Sequence, residues 1–288
     1  TIIGLGQNLP SVLKSPFTAV SGKGTLIRYI EMPEMSLPEL RDAFAIEADK
    51  YFPFAQDQIY TDCYILESDP KRKKMQVMVA AAKKELIDER VKLLTELGSQ
   101  VEFIGINPIA LANALNVLGF GEKEKENKVI ALLDLGDAVS NVTIFVNRLP
   151  RFTRDIYVGG RDFSKRISNA LGLSLDEAEA LKKNPGEKKE QMLNACESSI
   201  GNMVQELRLS FDYFENEKNS DITHLLLTGG GCMLEGLSEH LEKTLEIKTS
   251  CWNLVDLLRV APHINVNDLN QKSFKLGVAL GLALYQYD

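Results

Sequence analysis

The feature that most constrains this chain is Val129 to Leu133, an unbroken apolar run that ends at once in Asp134 and Gly136. Consecutive apolar residues bounded by turn residues describe a strand covered on both faces, and such strands sit in sheets with helices packed on either side. A second strand comes next and ends at Val146, so the two form a hairpin with Asp134-Leu-Gly136 at its tip. On these residues alone two readings of the tip stand side by side. An Asp and Gly turn needs no ligand. Equally, a carboxylate delivered by a buried strand beside exposed amides suits a phosphate held by N–H groups and a hydrated divalent cation held by the acid.

A strand buried on both faces requires a sizeable core, and 288 residues with 44% hydrophobic content supply one, as two domains or one large α/β domain. The net charge of -7 implies no basic face and argues against nucleic acid as a partner. The apolar stretch from Phe274 to Tyr285 is interrupted by Lys275 and is shorter than a bilayer span, and no secretory signal is legible. Cys63, Cys196, Cys232 and Cys251 show no CxxC spacing, and His224, His240 and His263 show no ligand pattern. The expectation is a reducing cytosol, with neither a disulfide framework nor a zinc site.

Around the hairpin the chain reads as alternating elements. Ile2-Ile-Gly-Leu-Gly6 has the form of a strand entering a glycine turn, and Pro10 and Pro16 interrupt the residues after it. Thr25 to Ile30 alternates as a strand closed by Met32-Pro33. Ser36-Leu-Pro-Glu39 is a capping box that starts a helix with the stripe Leu40, Phe44, Ala48 and Tyr51, stopped by Pro53. Strands from Gln58 to Leu66 and Met75 to Ala82 flank Asp69-Pro-Lys-Arg-Lys-Lys74, a solvated loop or, less simply, a contact for acidic lipid. A helix over 84–97 carries Ile87, Val91 and Leu94 on one face, and Val101 to Ile106 returns as a strand, completing an α+β unit over 22–106. Pro108 to Leu118 is an Ala- and Leu-rich helix, and the polar residues 121–128 mark a boundary.

After the hairpin, a strand from Phe152 to Val158 ends in Gly159-Gly160 and leads to a helix over 162–171. A second capping box, Ser174-Leu-Asp-Glu177, starts a helix with Glu179 and Lys182, and 182–190 is a charged loop. Met192, Cys196, Ile200, Met203, Leu207, Phe211 and Phe214 hold the helical period for about six turns, a stripe that belongs to a core. Ile222 to Leu227 reads as a buried strand that runs into Thr228-Gly-Gly-Gly231 and a helix with Leu234, Leu237 and Leu241. Backbone approaches a ligand closely in such a turn, although a glycine triplet also serves as a plain strand-to-helix turn. The final helix, 273–286, places Gly277 and Gly281 on one face for close packing.

Taken in order, the Asp134-x-Gly136 hairpin, Gly159-Gly160 before a helix, Ala178-Glu-Ala-Leu-Lys182 and the strand before Gly229 to Gly231 resemble the actin-like ATPase superfamily. Closer resemblance lies in Ala19-Val-Ser-Gly22, Arg28-Tyr-Ile-Glu-Met-Pro33, Glu47-Ala-Asp-Lys-Tyr-Phe-Pro-Phe54, Asn107-Pro-Ile-Ala-Leu-Ala112, Phe152-Thr-Arg-Asp155 and Leu226-Leu-Thr-Gly-Gly-Gly231. These are similar to the PilM family, FtsA-like cytoplasmic components of type IV pilus assembly, over nearly the whole chain.

The resemblance implies an α/β fold of the actin-like ATPase type, two RNase H-like domains with an inserted α+β (SHS2-like) subdomain called 1C. The implied division is 1–21 for part of subdomain 1A, 22–106 for 1C, 107–128 for a return to 1A, 129–172 for 2A, 173–220 for 2B, 221–262 for 2A again and 263–288 for a C-terminal helix of 1A. It implies ATP or ADP with Mg2+, bound by Asp134, Gly136, Ser140, Gly160, Glu179, Lys182, Gly229, Gly230 and Gly231, with Asp134 at the metal. It further implies a groove that captures the cytoplasmic N-terminal tail of a PilN-like membrane protein, with Phe44, Tyr51 and Phe52 as groove lining or, as the helical stripe favours, core. Other pilus-assembly inner-membrane components and motor ATPases are implied partners, with membrane contact only through them.

Two departures weaken the implied catalysis. Ile2-Ile-Gly-Leu-Gly6 lacks the Asp of a first phosphate loop, so the first subdomain reads as truncated. Asn107 stands at the water-orienting position, where the family often has an acid, and an amide orients water but is no base near neutral pH. The leading expectation is therefore an adaptor that binds nucleotide and hydrolyses it weakly or not at all. The alternatives are an active ATPase or small-molecule kinase, a filament-forming FtsA-like protein, and the cytoplasmic domain of a type II secretion protein.

Overall fold

Residues 129–135 alternate between two cores in the computed structural model, which describes residues 15–119 and 129–285. Val129, Ala131, Leu133 and Leu135 enter one apolar cluster, while Ile130 and Leu132 enter another. A strand whose successive side chains point to opposite faces divides its residues in this way when both faces are covered. The described residues form two compact units, the first running to Ala110 and including residues from Gly281, the second spanning Leu111–Leu280.

The second unit is built on a five-stranded sheet. Its strands are β6 (Val129–Leu135), β7 (Ser140–Val146), β8 (Leu149–Ile156), β9 (His224–Thr228) and β10 (Lys248–Cys251), in the order β10-β9-β6-β7-β8. β6, β7 and β8 are antiparallel neighbours, whereas β9 and β10 lie parallel to β6. Asn147 and Arg148, at φ 51° and 67°, make the two-residue turn between β7 and β8. That left-handed pair fits the twist of the flanking strands. One face is covered by helices α4 (Gly160–Leu171), α6 (Lys189–Lys218) and α7 (Leu237–Leu245), through Phe163, Ile167, Met203, Leu207 and Leu241. α5 (Leu175–Lys183) begins at Ser174, whose hydroxyl accepts from the Glu177 amide while Glu177 accepts from the Ser174 amide at 2.8 Å. The other face is covered by Leu111, Ala114 and Leu115 of α3 (Asn107–Leu118), with Trp252 and Leu254.

α6 is longer than its apolar stripe suggests, 30 residues, with that stripe buried as expected. The element after β9 differs from expectation. Gly230–Met233 is a short 3-10 turn, and the helix itself begins only at Leu237. Gly236 at φ 90° redirects the chain before it.

The first unit holds a three-stranded antiparallel sheet of order β2-β4-β3, from β2 (Thr25–Pro33), β3 (Ile59–Asp69) and β4 (Lys74–Lys83). α1 (Leu37–Glu47) packs on it after the Ser36 and Glu39 box, in which the Glu39 carboxylate accepts from the Ser36 amide at 2.8 Å. The helix stops at Glu47 and a 3-10 turn carries 48–50, earlier than Pro53 alone required. α2 (Lys84–Glu96) buries none of its residues, and Val91 of its expected apolar face is 38% exposed; Leu86 and Ile87 make its packing contacts. The returning strand, β5 (Phe103–Ile106), does not join this sheet. It pairs in parallel with β1 (Phe17–Val20), a strand the sequence left unread among its proline-broken residues. Pairing choice depends on long-range contacts that residue periodicity does not encode.

Phe44 and Phe52 are core residues, 2% and 3% exposed, with ring centroids 5.9 Å apart edge to face, and Tyr51 lies 5.8 Å from Phe44. This agrees with the core reading that the helical stripe favours for them, and Tyr51 keeps partial exposure. The described residues end with two short helices, α8 (Val266–Lys272) and α9 (Gly277–Ala283); the helix expected over 273–286 is shorter, with Ser273–Lys275 a 3-10 turn, and the glycines of α9 pack closely as expected. A Cβ on Gly277 would lie 2.6 Å from Leu111 Cδ2, and one on Gly281 would lie 1.8 Å from the Ala110 carbonyl oxygen.

Truncating Phe44 to Ala should lower unfolding stability by about 3–5 kcal/mol, whereas Ile46→Ala, at a residue 77% exposed, should stay within about 0.5 kcal/mol. Denaturant unfolding followed by circular dichroism measures both, and a small effect at Phe44 would contradict its place in the core.

Candidate functional site

β6 and β9 lie side by side and parallel, with Asp134 opposite Thr228, so both strands deliver their turns to the same edge of the sheet. In open α/β sheets, ligands bind beyond the carboxyl ends of strands where the connections diverge to opposite sides. β6 leads away through β7 and β8, and the chain returns to β9 on the other flank.

Glycines let the turns converge. A Cβ on Gly159 would sit 2.4 Å from the Asp137 carbonyl oxygen, and one on Gly136 would sit 2.4 Å from that of Val139. The Gly160 amide donates to the Gly136 carbonyl at 2.9 Å and the Arg161 amide to that of Asp137 at 2.8 Å, while the Arg161 guanidinium pairs with the Asp137 carboxylate. These bonds join the start of α4 to the hairpin tip. They also occupy the first amides of α4, so that helix end contributes position more than free donors. On the other side Gly229, at φ 85°, presses against Asp134: a Cβ there would lie 2.5 Å from Asp134 Oδ1.

Asp134 retains some exposure as a residue, but its carboxylate is hemmed in by this turn. Burial pushes its pKa up from 3.8 to about 6. No described donor or cation offsets that burial. An acid left without a partner in a dry place is costly, and such groups concentrate where a ligand completes the charge balance.

Glu179 and Lys182 are tied together. Lys182 Nζ donates to Glu179 Oε1 at 2.7 Å and to the Gly160 carbonyl at 2.9 Å, and Ser164 Oγ donates to the same Oε1. Burial opposes ionisation of Glu179, but the bonds from Lys182 and Ser164 outweigh it and its pKa is lowered. Both bonds fall on Oε1, which leaves Oε2 as an acceptor.

Asp134, Gly136, Gly160, Glu179, Lys182 and the three glycines Gly229, Gly230 and Gly231 border one cavity of about 330 Å³. Ser140 does not. It is fully buried, and its hydroxyl donates to the Val158 carbonyl at 2.6 Å, so it serves the β7 to β8 edge rather than the cavity. Asn107 is the half-buried first residue of α3, in the first unit, and the cavity is lined by residues of the second unit. Ile2 to Gly6, where a first phosphate loop was expected, lies outside the described residues.

Sequence reasoning missed Lys275, which lines the cavity together with Phe274 and Val278. A Cβ on Gly230 would stand 3.2 Å from Lys275 Cε, so the lysine covers the glycine run. Its only signal was its place as the charge interrupting an apolar stretch. Among the described residues no group of three His, Cys, Asp or Glu is arranged around a metal. Asp134 nonetheless suits Mg2+, which keeps most of its waters and takes one or two carboxylates plus phosphate oxygens.

A profile of the family described as type IV pilus assembly protein PilM matches residues 2–287. The chain belongs to this family. A solved PilM-PilN type IV pilus biogenesis complex matches with a TM-score of 0.81 and 28% identity, over 93% of this chain and 78% of that one. The cell division protein FtsA of Bacillus subtilis (strain 168) is 27% identical over 124 residues, 41% of this chain. The chain spans about a quarter (27%) of the length of that curated relative in the match. MreB 5 of Spiroplasma citri, solved bound to AMPPNP, superposes with a TM-score of 0.51 at 12% identity, over 71% of this chain and 65% of that one, a likeness of fold alone. The fold of this PilM-family chain is thus actin-like, as its order of motifs implied.

Asp134 makes stability depend on pH. Its folded pKa lies above the unfolded value, so the folded state holds the extra proton between about pH 4 and 6. This group's contribution is therefore most favourable below pH 4, is lost as pH rises to about 6 and stays lost above. Asp134→Asn should remove that slope and raise the ligand-free stability at pH 7 by at most about 3 kcal/mol. Denaturation midpoints of both proteins from pH 4 to 8 measure it; parallel curves would contradict the burial of this carboxylate.

Proposed function

We propose that the cavity binds ATP or ADP with Mg2+, and that the protein is a cytoplasmic actin-like adaptor of type IV pilus assembly that docks the N-terminal tail of a PilN-like membrane protein. The observation that carries the nucleotide reading is the unpartnered Asp134 carboxylate facing a cavity bordered by glycine turns and the Glu179 and Lys182 pair. Asp134 would hold the hydrated cation, whose chemistry is to neutralise phosphate oxygens. Gly136, Gly160 and Gly229 to Gly231 let the ligand approach backbone without side-chain obstruction. Glu179 Oε2, which takes neither of the bonds that fall on Oε1, would accept from sugar hydroxyls, with Lys182 fixing the carboxylate. Lys275 adds positive charge over the glycine run.

The adaptor reading rests on membership of the PilM family and on the likeness to a solved chain in complex with PilN. The three-stranded sheet with α1 is the proposed 1C subdomain. Hydrolysis is proposed to be weak or absent, because Asn107, which the family resemblance alone assigns to the water-orienting position, is an amide and not an acid. No described helix is long and apolar enough to cross a membrane, which fits attachment through the partner.

Calorimetric titration with Mg2+·ADP should give saturable one-to-one binding. 2′-Deoxy-ADP should bind about tenfold more weakly, and Glu179→Gln should shrink that difference, since a hydrogen bond to a charged acceptor is worth about 1.5–3 kcal/mol. Equal affinity for both sugars in the parent protein would remove Glu179 from the sugar site. A synthetic PilN N-terminal peptide should bind saturably to the folded protein, and failure to bind at any concentration would sink the adaptor reading.

A further inference from the structure

Asn141 stands between two carboxylates. It is opposite Asp134 of β6 on one side and opposite Asp155 of β8 on the other, so the three side chains form a row across neighbouring strands on one face of the sheet. That face is the one α3 covers. Leu132 of β6 and Phe145 of β7, which share their strands' parity with Asp134 and Asn141, pack there with Leu111 and Leu115. Asn141 is 7% exposed. Its Nδ2 donates to Asp155 Oδ1 at 2.8 Å, and its Oδ1 accepts from Thr143 Oγ1 at 3.1 Å. Thr143 Oγ1 lies in turn 3.3 Å from Thr153 Oγ1, so the amide is held at both ends.

The row is asymmetric. Directly opposite residues of adjacent strands have Cβ atoms about 4.5–5.5 Å apart. Across that separation the Asn141 amide reaches Asp155. Asp134 stands opposite Asn141 in the same manner, yet among the described residues its carboxylate accepts no hydrogen bond. Buried donors and acceptors normally find one another, and Asn141 Nδ2 carries a second hydrogen that Asp155 does not use. Asp155 therefore turns toward itself the donor that lies nearest to hand for Asp134.

We propose that Asp155 is a positioning residue of the cation site, which by capturing the Asn141 amide keeps the Asp134 carboxylate bare for a divalent cation. A carboxylate that already accepts a hydrogen bond has part of its charge satisfied before the cation arrives, so it gains less when the cation binds. A bare carboxylate in a buried place gains most. Removing the Asp155 acceptor releases the Asn141 amide, which then turns to Asp134. The effect on affinity rests on the nucleotide and cation reading of the cavity, whereas the turn of the amide does not.

The test compares four variants of the full chain with the parent by calorimetric titration of Mg2+·ADP. Asp155→Ala should weaken binding about tenfold, because the released amide forms a hydrogen bond to a charged acceptor. Asp155→Asn keeps an oxygen acceptor opposite Asn141 and should stay close to the parent, which separates capture of the amide from the charge of Asp155. Asn141→Ala removes the competing donor and should also bind as the parent does, alone or combined with Asp155→Ala. A general loss of structure in Asp155→Ala would persist in that double variant, so recovery there marks the positioning role. Should Asp155→Ala fail to fold, Asp155→Leu, which keeps the bulk and lacks the acceptor, takes its place. A crystal structure of the ligand-free Ala or Leu variant should show Asn141 Nδ2 within hydrogen-bond distance of the Asp134 carboxylate. An amide left in place, parent-like affinity in that variant, or a double variant as weak as the single one overturns the proposal. If the parent binds no Mg2+·ADP, the nucleotide reading fails and the crystal structure alone decides this one.

Discussion

The contact on which the site depends is the press of the Gly229 turn against Asp134. Parallel pairing of β6 with β9 places Asp134 beside Thr228, so the turns after both strands emerge together, and only glycine fits between the β9 turn and the carboxylate. At the hairpin tip Gly159 likewise admits no side chain, because its backbone lies against the Asp137 carbonyl. Burial beside the Gly229 turn raises the pKa of the acid, so the ligand-free protein carries a destabilising charge above pH 6. Stability lost at a site and recovered by a ligand is a common mark of function.

Much of the second unit was legible because its signals are local. The unbroken run at Val129–Leu133, the capping box at Ser174 and the stripe from Met192 to Phe214 each carry a period or a cap that short-range physics explains. The candidate site was legible where glycine or acid had no cheaper use, as at Asp134, Gly160 and Gly229. Ser140 was implied for the site by the resemblance alone, and its hydroxyl is taken up by the Val158 carbonyl. Lys275 was missed because nothing local distinguishes a lysine that interrupts an apolar stretch for solvent from one that covers a glycine run.

The first unit was less legible because its errors concern pairing. Residues 103–106 were rightly a strand, yet their partner is Phe17–Val20, residues whose prolines hid them. Phe44 and Phe52 were legible as core from the helical stripe and Pro53, and they fill the core under α1.

Whether Asp134 is the ionisable ligand of a metal–nucleotide site is decided by measuring Mg2+·ADP affinity from pH 5 to 8 in the parent protein and in Asp134→Asn. Parent affinity should rise about tenfold per pH unit up to about pH 6 and then level, because the cation must displace the proton of a carboxylate with that pKa. The Asn variant should be weak and flat across the same range. A parent affinity independent of pH, or an Asn variant that binds as tightly as the parent, would contradict that role for Asp134.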